Sequence, residues 1–401
     1  MNSKLPRVLT ATVVVSGLLL LSGCDLARQG LATVMGLPTD KNVLFWTLEQ
    51  RDKVFRQMDT FVATHTVEAG TNPIVLDVGT PLDLSWNNAD GSWDIEGYMA
   101  DQRAAGVIIL HRGEIRLEQY AMDYSASGRW TSFSVAKSFT STLVGAAIKD
   151  GFIKSIDARL TDYIPELSGS GYEGVTVRQL LTMTSGVRWN EDYEDPESDV
   201  ALFNLQESID GADPIVLYMK TLEREAPPGT RWQYNTGETN LIGVLVAEAT
   251  GMNLAEYLTK KVWQPYGMQN DAAWILNDGG REIGGCCLSA TLRDYALFGK
   301  FALDQGVVNG GSIVPDGWFA AAGTKQADIG APGLGYGYQW WTYDEGSFAA
   351  QGIFGQGIFV DPGRDLVIAS NGNWIVASDT VMKNRRNAFY RAVQAAIDDE
   401  I

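Results

Sequence analysis

Histidine is nearly absent from this 401-residue chain, which has two, His65 and His111, and cysteine is scarce, with three. Two histidines far apart and outside any His-Glu-x-x-His pattern supply no zinc-ligand set, so no metal is expected. No Gly-x-Ser-x-Gly sequence occurs, which removes the elbow that carries the nucleophile of many Ser-His-Asp hydrolases. Three cysteines cannot build a disulfide framework. Positive charge is also short: 31 Lys and Arg face 49 Asp and Glu, a net charge of −18, and that sign leaves no footprint for nucleic-acid phosphates. What remains is an ordinary globular composition, 45% hydrophobic and 20% charged, in a chain long enough for an ample core. The chemistry is expected to run without metal, cofactor or histidine.

The first residues read as an address. Lys4 and Arg7 precede an apolar stretch over residues 8–21 that ends in Leu21-Ser22-Gly23-Cys24. That stretch is shorter than the roughly 20 residues of a membrane span and follows a charged start, the pattern of a secretion signal. The Leu-Ser-Gly-Cys ending resembles the bacterial lipobox, in which the cysteine is acylated and becomes the first residue. The resemblance implies a signal peptide over 1–23, a lipid anchor at Cys24, a tether over 24–40 and a domain on the cell envelope, outside the cytoplasm. An acidic body is repelled by anionic headgroups, so attachment to the membrane would rest on the acyl chains.

Further along, residues 45–65 predict a first helix, and residues 105–120 predict two strands around the turn His111-Arg112-Gly113. Residues 134–149 are apolar or small almost all round the helical wheel, which predicts a helix buried on every side. Thr176-Val177-Arg178-Gln179 is a capping box opening a short helix closed by Gly186, and Asn253-Leu254-Ala255-Glu256 opens another that Pro265-Tyr266-Gly267 stops. A helix follows over 290–305, then strands over 336–343, 347–360 and 365–371, and a last helix over 379–398. Strands at both ends around a helical middle predict an α+β protein: a sheet domain from 41–133 and 288–401, and a helical domain from 134–287. The site is expected where the two meet.

Three elements carry chemistry. Ser134-Val135-Ala136-Lys137 is an S-x-x-K element, a motif associated with penicillin-binding proteins and class A β-lactamases, at the start of that buried helix. Three residues apart on a helix, hydroxyl and amine share one face. Burial disfavours the ammonium form, leaving a neutral amine able to take the serine proton. Alone, such a spacing arises about once by chance in a chain of this size. The second element is Pro228-Gly229-Thr230-Arg231-Trp232-Gln233-Tyr234-Asn235-Thr236, where a tyrosine just before a helix can relay protons. The third is Gln351-Gly352-Ile353-Phe354-Gly355-Gln356-Gly357 on a predicted strand, whose glycines admit a substrate close to the backbone.

With YIPEL, VTVRQLLTMTSGV, LSATLRDYALFGKF and GIFGQGIFVDP, these elements occur in an order that resembles the class C β-lactamase-like serine hydrolases, and within them the 6-aminohexanoate-dimer (nylon-oligomer) hydrolases, over roughly residues 105–396. The resemblance implies a β-lactamase/transpeptidase-like fold, an antiparallel sheet flanked by terminal helices plus an inserted all-helical domain, acting on a small amide or ester. It implies Ser134 as nucleophile, Lys137 as general base and Tyr234 as proton relay. It also implies an oxyanion hole from the backbone N–H groups of Ser134 and Ile353, and substrate contacts at Tyr193, Gln351 and Gly352. A β-lactamase, a D-alanyl-D-alanine carboxypeptidase or a catalytically silent binding lipoprotein stand as rivals on the same scaffold.

Two departures bear on specificity. The tyrosine motif of the family reads Tyr-x-Asn, whereas Thr236 stands at that position and Asn235 one place early. Where β-lactamases carry Lys-Thr-Gly, this chain has Ala350-Gln351-Gly352, without the cation that anchors a β-lactam carboxylate. The acidic loop 191–199 reads as solvated, with attraction of cationic substrate ends as the alternative. Cys286-Cys287 reads as a packed pair of small residues not bonded to each other, and Trp340, Trp341 and Tyr343 as core or cleft wall.

Overall fold

The computed structural model describes residues 30, 32–38, 42–88 and 91–400; the expected signal peptide over 1–23 and Cys24 lie outside them. The strands used below are β1 (Thr64–Val67), β2 (Ala104–His111), β3 (Glu114–Tyr120), β4 (Trp130–Thr131), β5 (Ala272–Ile275), β6 (Leu288–Ala290), β7 (Leu334–Tyr336), β8 (Trp341–Tyr343), β9 (Phe348–Gly352), β10 (Gln356–Asp361) and β11 (Leu366–Gly372). They form a seven-stranded sheet, β7-β8-β9-β10-β11-β2-β3, and a four-stranded one, β1-β5-β6-β4. Every pairing in both is antiparallel. The helices used below are α1 (Leu48–Val54), α2 (Ile95–Asp101), α3 (Ala136–Lys149), α4 (Val177–Leu181), α5 (Thr236–Thr250), α6 (Leu292–Leu303) and α7 (Thr380–Asp398).

The large sheet is covered on both faces, and β2 shows why: all eight of its residues are buried. Val107 and Ile109 point to one side, where Tyr98 and Met99 of α2 and Phe389, Tyr390, Val393 and Ile397 of α7 complete a core. Ile108 and Leu110 point to the other, against the cluster that contains Leu292, Ala296 and Phe298 of α6. The alternation of β-strand side chains thus feeds two cores from one strand. Each fully buried large side chain contributes roughly 1.5–3 kcal/mol. Asp379 caps α7 by accepting from Met382 N–H at 2.9 Å, so the helix begins at a fixed point beside the cleft.

The helical part packs around α3, whose residues from Ala136 to Ala147 are all buried. Its hydroxyls are satisfied at long range: Ser138 donates to Gln339 O, Ser141 to Tyr338 O and Thr140 to Gly284 O, at 2.7, 2.7 and 2.6 Å. These bonds clamp the helix to the two segments that border the site.

Several expected boundaries move. Residues 45–65 do not form one helix. A capping box at Thr47 starts α1, a second short helix spans Met58–Phe61, and His65 lies in β1, paired with Trp274 of β5. The β-branched Thr64, Thr66 and Val67 favour that strand. The capping box at Thr176 is present, but α4 stops at Leu181, five residues short of Gly186. Gly186 instead marks a close chain crossing, where a Cβ would stand 2.0 Å from Ala226 O. Leu288–Ala290 is strand, and Thr291 caps α6, so the helix expected from Ala290 begins at Leu292. Strand β5 interrupts the otherwise helical stretch 134–287. The strand expected over 336–343 is broken at 337–340, and the one over 347–360 at Ile353–Gly355. The sulfurs of Cys286 and Cys287 are bonded to each other, contrary to the expectation of an unpaired pair, at a turn where Cys287 has a φ of 73°.

Candidate active site

Ser134 is the middle residue of a 3-10 turn, Phe133–Val135, that runs straight into α3, and Lys137 is in the first turn of that helix. The spacing brings Lys137 Nζ to 3.0 Å from Ser134 Oγ. The ammonium also donates to Gly285 O at 2.8 Å. Gly285 is in turn held by Asn240 of α5, whose Oδ1 accepts its N–H at 2.6 Å. A Cβ on Gly285 would approach Thr236 O to 2.9 Å, so only glycine lets this loop lie against α5. Lys137 is 1% exposed. Burial pulls its pKa down to about 8, against the opposing pull of Glu191.

Tyr234 closes the group. The Ser134 hydroxyl acts on its phenol, and its ring centroid lies 5.2 Å from Lys137 Nζ. Burial, and then Glu191, push its phenol far above the ordinary range, so Tyr234 is a proton-carrying hydroxyl. Asn235 is committed to capping α5, accepting from Glu238 N–H at 3.0 Å. Its displacement from the family pattern therefore has a structural cause.

Thr236, on the other side of the same departure, is explained by a residue of the loop expected to be solvated. Glu191 turns inward and accepts from Thr236 N–H at 2.9 Å, the Thr236 hydroxyl, the Trp189 indole and Tyr193 OH at 2.7 Å. Asp199 of the same loop is also buried, taking Asn190 N–H and Tyr218 OH, while Asp192, Glu194 and Glu197 face solvent. The signal available was the adjacency of Glu191 and Tyr193 together with the odd threonine. Because Glu191 favours the ammonium form of Lys137, its loss should lower that pKa. On a neutral p-nitrophenyl ester, kcat/KM should rise about tenfold per pH unit below about pH 8 and level off above it. In Glu191→Gln the midpoint should move to lower pH; an unmoved midpoint would show that Glu191 does not act on the lysine.

The backbone completes the site. Ser134 and Ile353 each lie in the first turn of a 3-10 segment, where leading N–H groups have no intrahelical acceptor. Phe133, just before Ser134, has φ 44°, and Phe354, just after Ile353, has φ 60°. Positive φ is unfavourable for phenylalanine. Packing holds both: their ring centroids are 5.2 Å apart, and Phe55 sits 4.9 and 5.4 Å from them. Gly352 admits the close passage of β9, since a Cβ there would meet Ser132 O at 2.7 Å.

These groups open on a cavity of about 200 Å³ bordered by Ser134, Tyr193, Tyr234, Gln351, Gly352 and Ile353, with Lys137 joined to it through its bond to Ser134. Glu191, Trp341, Trp374, Lys383 and Arg386 also line it. Trp341 stacks on Tyr234 at 5.6 Å, while Trp340 is core and Tyr343 OH accepts from Gln351 at 3.0 Å. Among the described residues no group of three or more His, Cys, Asp or Glu is placed to hold a metal ion.

Behind Tyr234, the fully enclosed Glu238 takes a bond from Ser185, and burial pushes its pKa up to about 8. A carboxyl raised in the folded state binds its proton there while the unfolded chain releases it. Stability is therefore expected to be highest below about pH 4.5 for this group and to fall as pH rises to about 8. Glu238→Gln should remove that slope, gaining a few kcal/mol, roughly, at pH 8 relative to pH 5 in urea titrations. Equal slopes in the two proteins would contradict the protonated state.

A serine, a buried lysine and a tyrosine between an antiparallel sheet and a helical segment define a serine hydrolase of the β-lactamase and penicillin-binding-protein architecture. The chain belongs to the beta-lactamase family, whose model matches residues 94–389. It is similar to the 6-aminohexanoate-dimer hydrolase of Paenarthrobacter ureafaciens, 32% identical over 298 residues that span 70% of this chain and 75% of that one. It is also similar to a beta-lactamase of Yersinia enterocolitica, 22% identical over 65% of this chain and 69% of that protein. In fold it matches a structure provisionally assigned as a 6-aminohexanoate-dimer hydrolase from Bacillus anthracis, with a TM-score of 0.78, 23% identity, and coverage of 90% and 98% of the two chains. It is a serine hydrolase of amide or ester bonds.

Proposed function

We propose that the enzyme cleaves small linear amides or esters through an acyl-enzyme on Ser134, in the manner its similarity to a 6-aminohexanoate-dimer hydrolase suggests. The observation that carries the reading is Lys137 Nζ at 3.0 Å from Ser134 Oγ, with burial holding its pKa near 8. The neutral amine takes the Oγ proton as Oγ attacks the carbonyl carbon, and the N–H groups of Ser134 and Ile353 receive the oxyanion. Tyr234 gives its proton to the leaving amine or alkoxide and is refilled from Lys137. Water then attacks the acyl carbon, its proton passes to the Tyr234–Lys137 pair, and the carboxylic acid leaves with Ser134 restored. The lipobox-like start would tether this chemistry to the cell envelope through Cys24.

The test is initial rates of the 25–401 form and its Ser134→Ala partner on a p-nitrophenyl short-chain ester, the linear 6-aminohexanoate dimer and a chromogenic cephalosporin. Ester or dimer turnover that vanishes in the variant, with the cephalosporin left intact, is the expected result. Dominant cephalosporin turnover would make the enzyme a β-lactamase, and no Ser134-dependent rate on any of the three would make it a silent binder.

A further inference from the structure

The loop that anchors Lys137 is closed by a disulfide between neighbours, Cys286 and Cys287. Gly285 O, which accepts from the lysine at 2.8 Å, belongs to the peptide that enters Cys286. The peptide between the two sulfurs carries the Cys287 N–H, which donates to Phe133 O at 3.4 Å. Leu288, next along, exchanges two bonds with Ser132: its N–H donates to Ser132 Oγ at 3.0 Å, and its carbonyl accepts Ser132 N–H at 2.8 Å. The cysteine pair thus lies between the anchor of the base and the strand, β6, that holds the residues just before the nucleophile. Cys287 is 5% exposed, whereas Cys286 is half-buried and offers the sulfur that a reagent can reach.

A disulfide ordinarily stabilises by closing a loop of the unfolded chain, and its effect grows with the length of that loop. A bond across a single peptide closes almost no loop, so stabilisation of the whole fold does not account for it. What it constrains is local. Cys287 is held at φ 73°, an unfavourable angle for a residue with a Cβ. Without the bond that residue is free to return to ordinary backbone angles, turning the peptides on either side. Gly284 and Gly285 are tied to α3 and α5 through Thr140 and Asn240. The movement therefore falls on the Gly285 carbonyl and the Cys287 N–H, the groups that meet Lys137 and Phe133. We propose that Cys286–Cys287 is a redox-modification site through which a dithiol reductant lowers the hydrolase activity. This rests on the serine-hydrolase reading of the cavity. A thiolate of the reductant attacks Cys286 Sγ, and Cys287 leaves as a thiolate that takes up a proton. The reductant's second thiol then attacks the mixed disulfide and frees Cys286. Two electrons and two protons pass to the pair, and the reductant is left as its own disulfide.

The 25–401 form has no other cysteine, so any effect of a reductant belongs to this pair. The protein is reduced with dithiothreitol under argon, freed of the reagent and assayed on p-nitrophenyl butyrate, with intact mass reporting the gain of two hydrogens. Reduction should lower kcat by about tenfold or more at little-changed KM, because Lys137 is no longer held on Ser134, and reoxidation should restore it. The double variant Cys286→Ser/Cys287→Ser should sit at the reduced level and ignore the reagent; if it does not fold, the wild-type cycle of reduction and reoxidation carries the comparison. A fully reduced protein with the oxidised kcat overturns the proposal. So does a pair that dithiothreitol cannot reduce in the folded protein, or a loss that reoxidation fails to restore. If the oxidised protein shows no Ser134-dependent rate, it is the hydrolase reading that fails. Hydrogen exchange of the two redox forms then decides the site: faster exchange on reduction confined to residues 132–137 and 284–288 supports it, and unchanged exchange there sinks it.

Discussion

Ser134→Ala, Lys137→Met and the double variant are each expected to lower kcat/KM on a p-nitrophenyl ester by about 10⁴-fold, with the double variant no slower than either single one. The reason is geometric. One hydrogen bond of 3.0 Å joins the two groups, and the lysine has no ion pair among the described residues that would assign it another task. A hydroxyl without its base and a base without its hydroxyl are equally idle. Methionine keeps the length and apolar stem of the buried side chain, so the fold around Lys137 should survive. Additive losses, or a Lys137→Met variant within tenfold of wild type, would show that Tyr234 or bulk base does the work.

Phe55→Ala should be the most damaging substitution outside the reacting groups. Phe55 is fully buried, and removing a buried phenylalanine typically costs about 3–5 kcal/mol of stability. Its ring also holds Phe133 and Phe354 at positive φ, one beside each proposed oxyanion donor. With the ring gone, both residues can relax toward ordinary backbone angles and carry the N–H groups of Ser134 and Ile353 out of line. Loss of an oxyanion donor lowers kcat by about 10²–10³-fold. The variant should therefore show a lowered urea midpoint together with a fall in kcat at little-changed KM. A destabilised protein with normal kcat would show that the strained pair holds its angles without Phe55.

How much of this was legible in the sequence follows from how local each signal is. Ser134 and Lys137 were legible because three residues on one helix fix their distance, and Tyr234 because it precedes a capped helix start. The seven-stranded sheet could be anticipated from β-branched and aromatic runs, although Gly337 and Phe354 break two of those runs for reasons that lie in tertiary contacts. Glu191 was hidden among six acids, because the marks that set it apart, Tyr193 two places on and the odd Thr236, gain meaning only when the fold brings this loop against α5. Arg386 was hidden by distance: it reaches Ser134's cavity from a helix some 250 residues away, in a basic run that reads as solvated helix surface. Residues 45–65 misled because helix-forming composition continues past Thr47 and Gln57, where caps and strand pairing decide the break.

The central claim is a covalent acyl-enzyme on Ser134, and the most direct test is the intact mass of the 25–401 form after exposure to a fluorophosphonate, followed by peptide mapping. The account predicts one adduct, on Ser134, whose rate of formation rises with pH to a midpoint near 8 and which Lys137→Met forms far more slowly. An unmodified protein, or an adduct on any other residue, would contradict it.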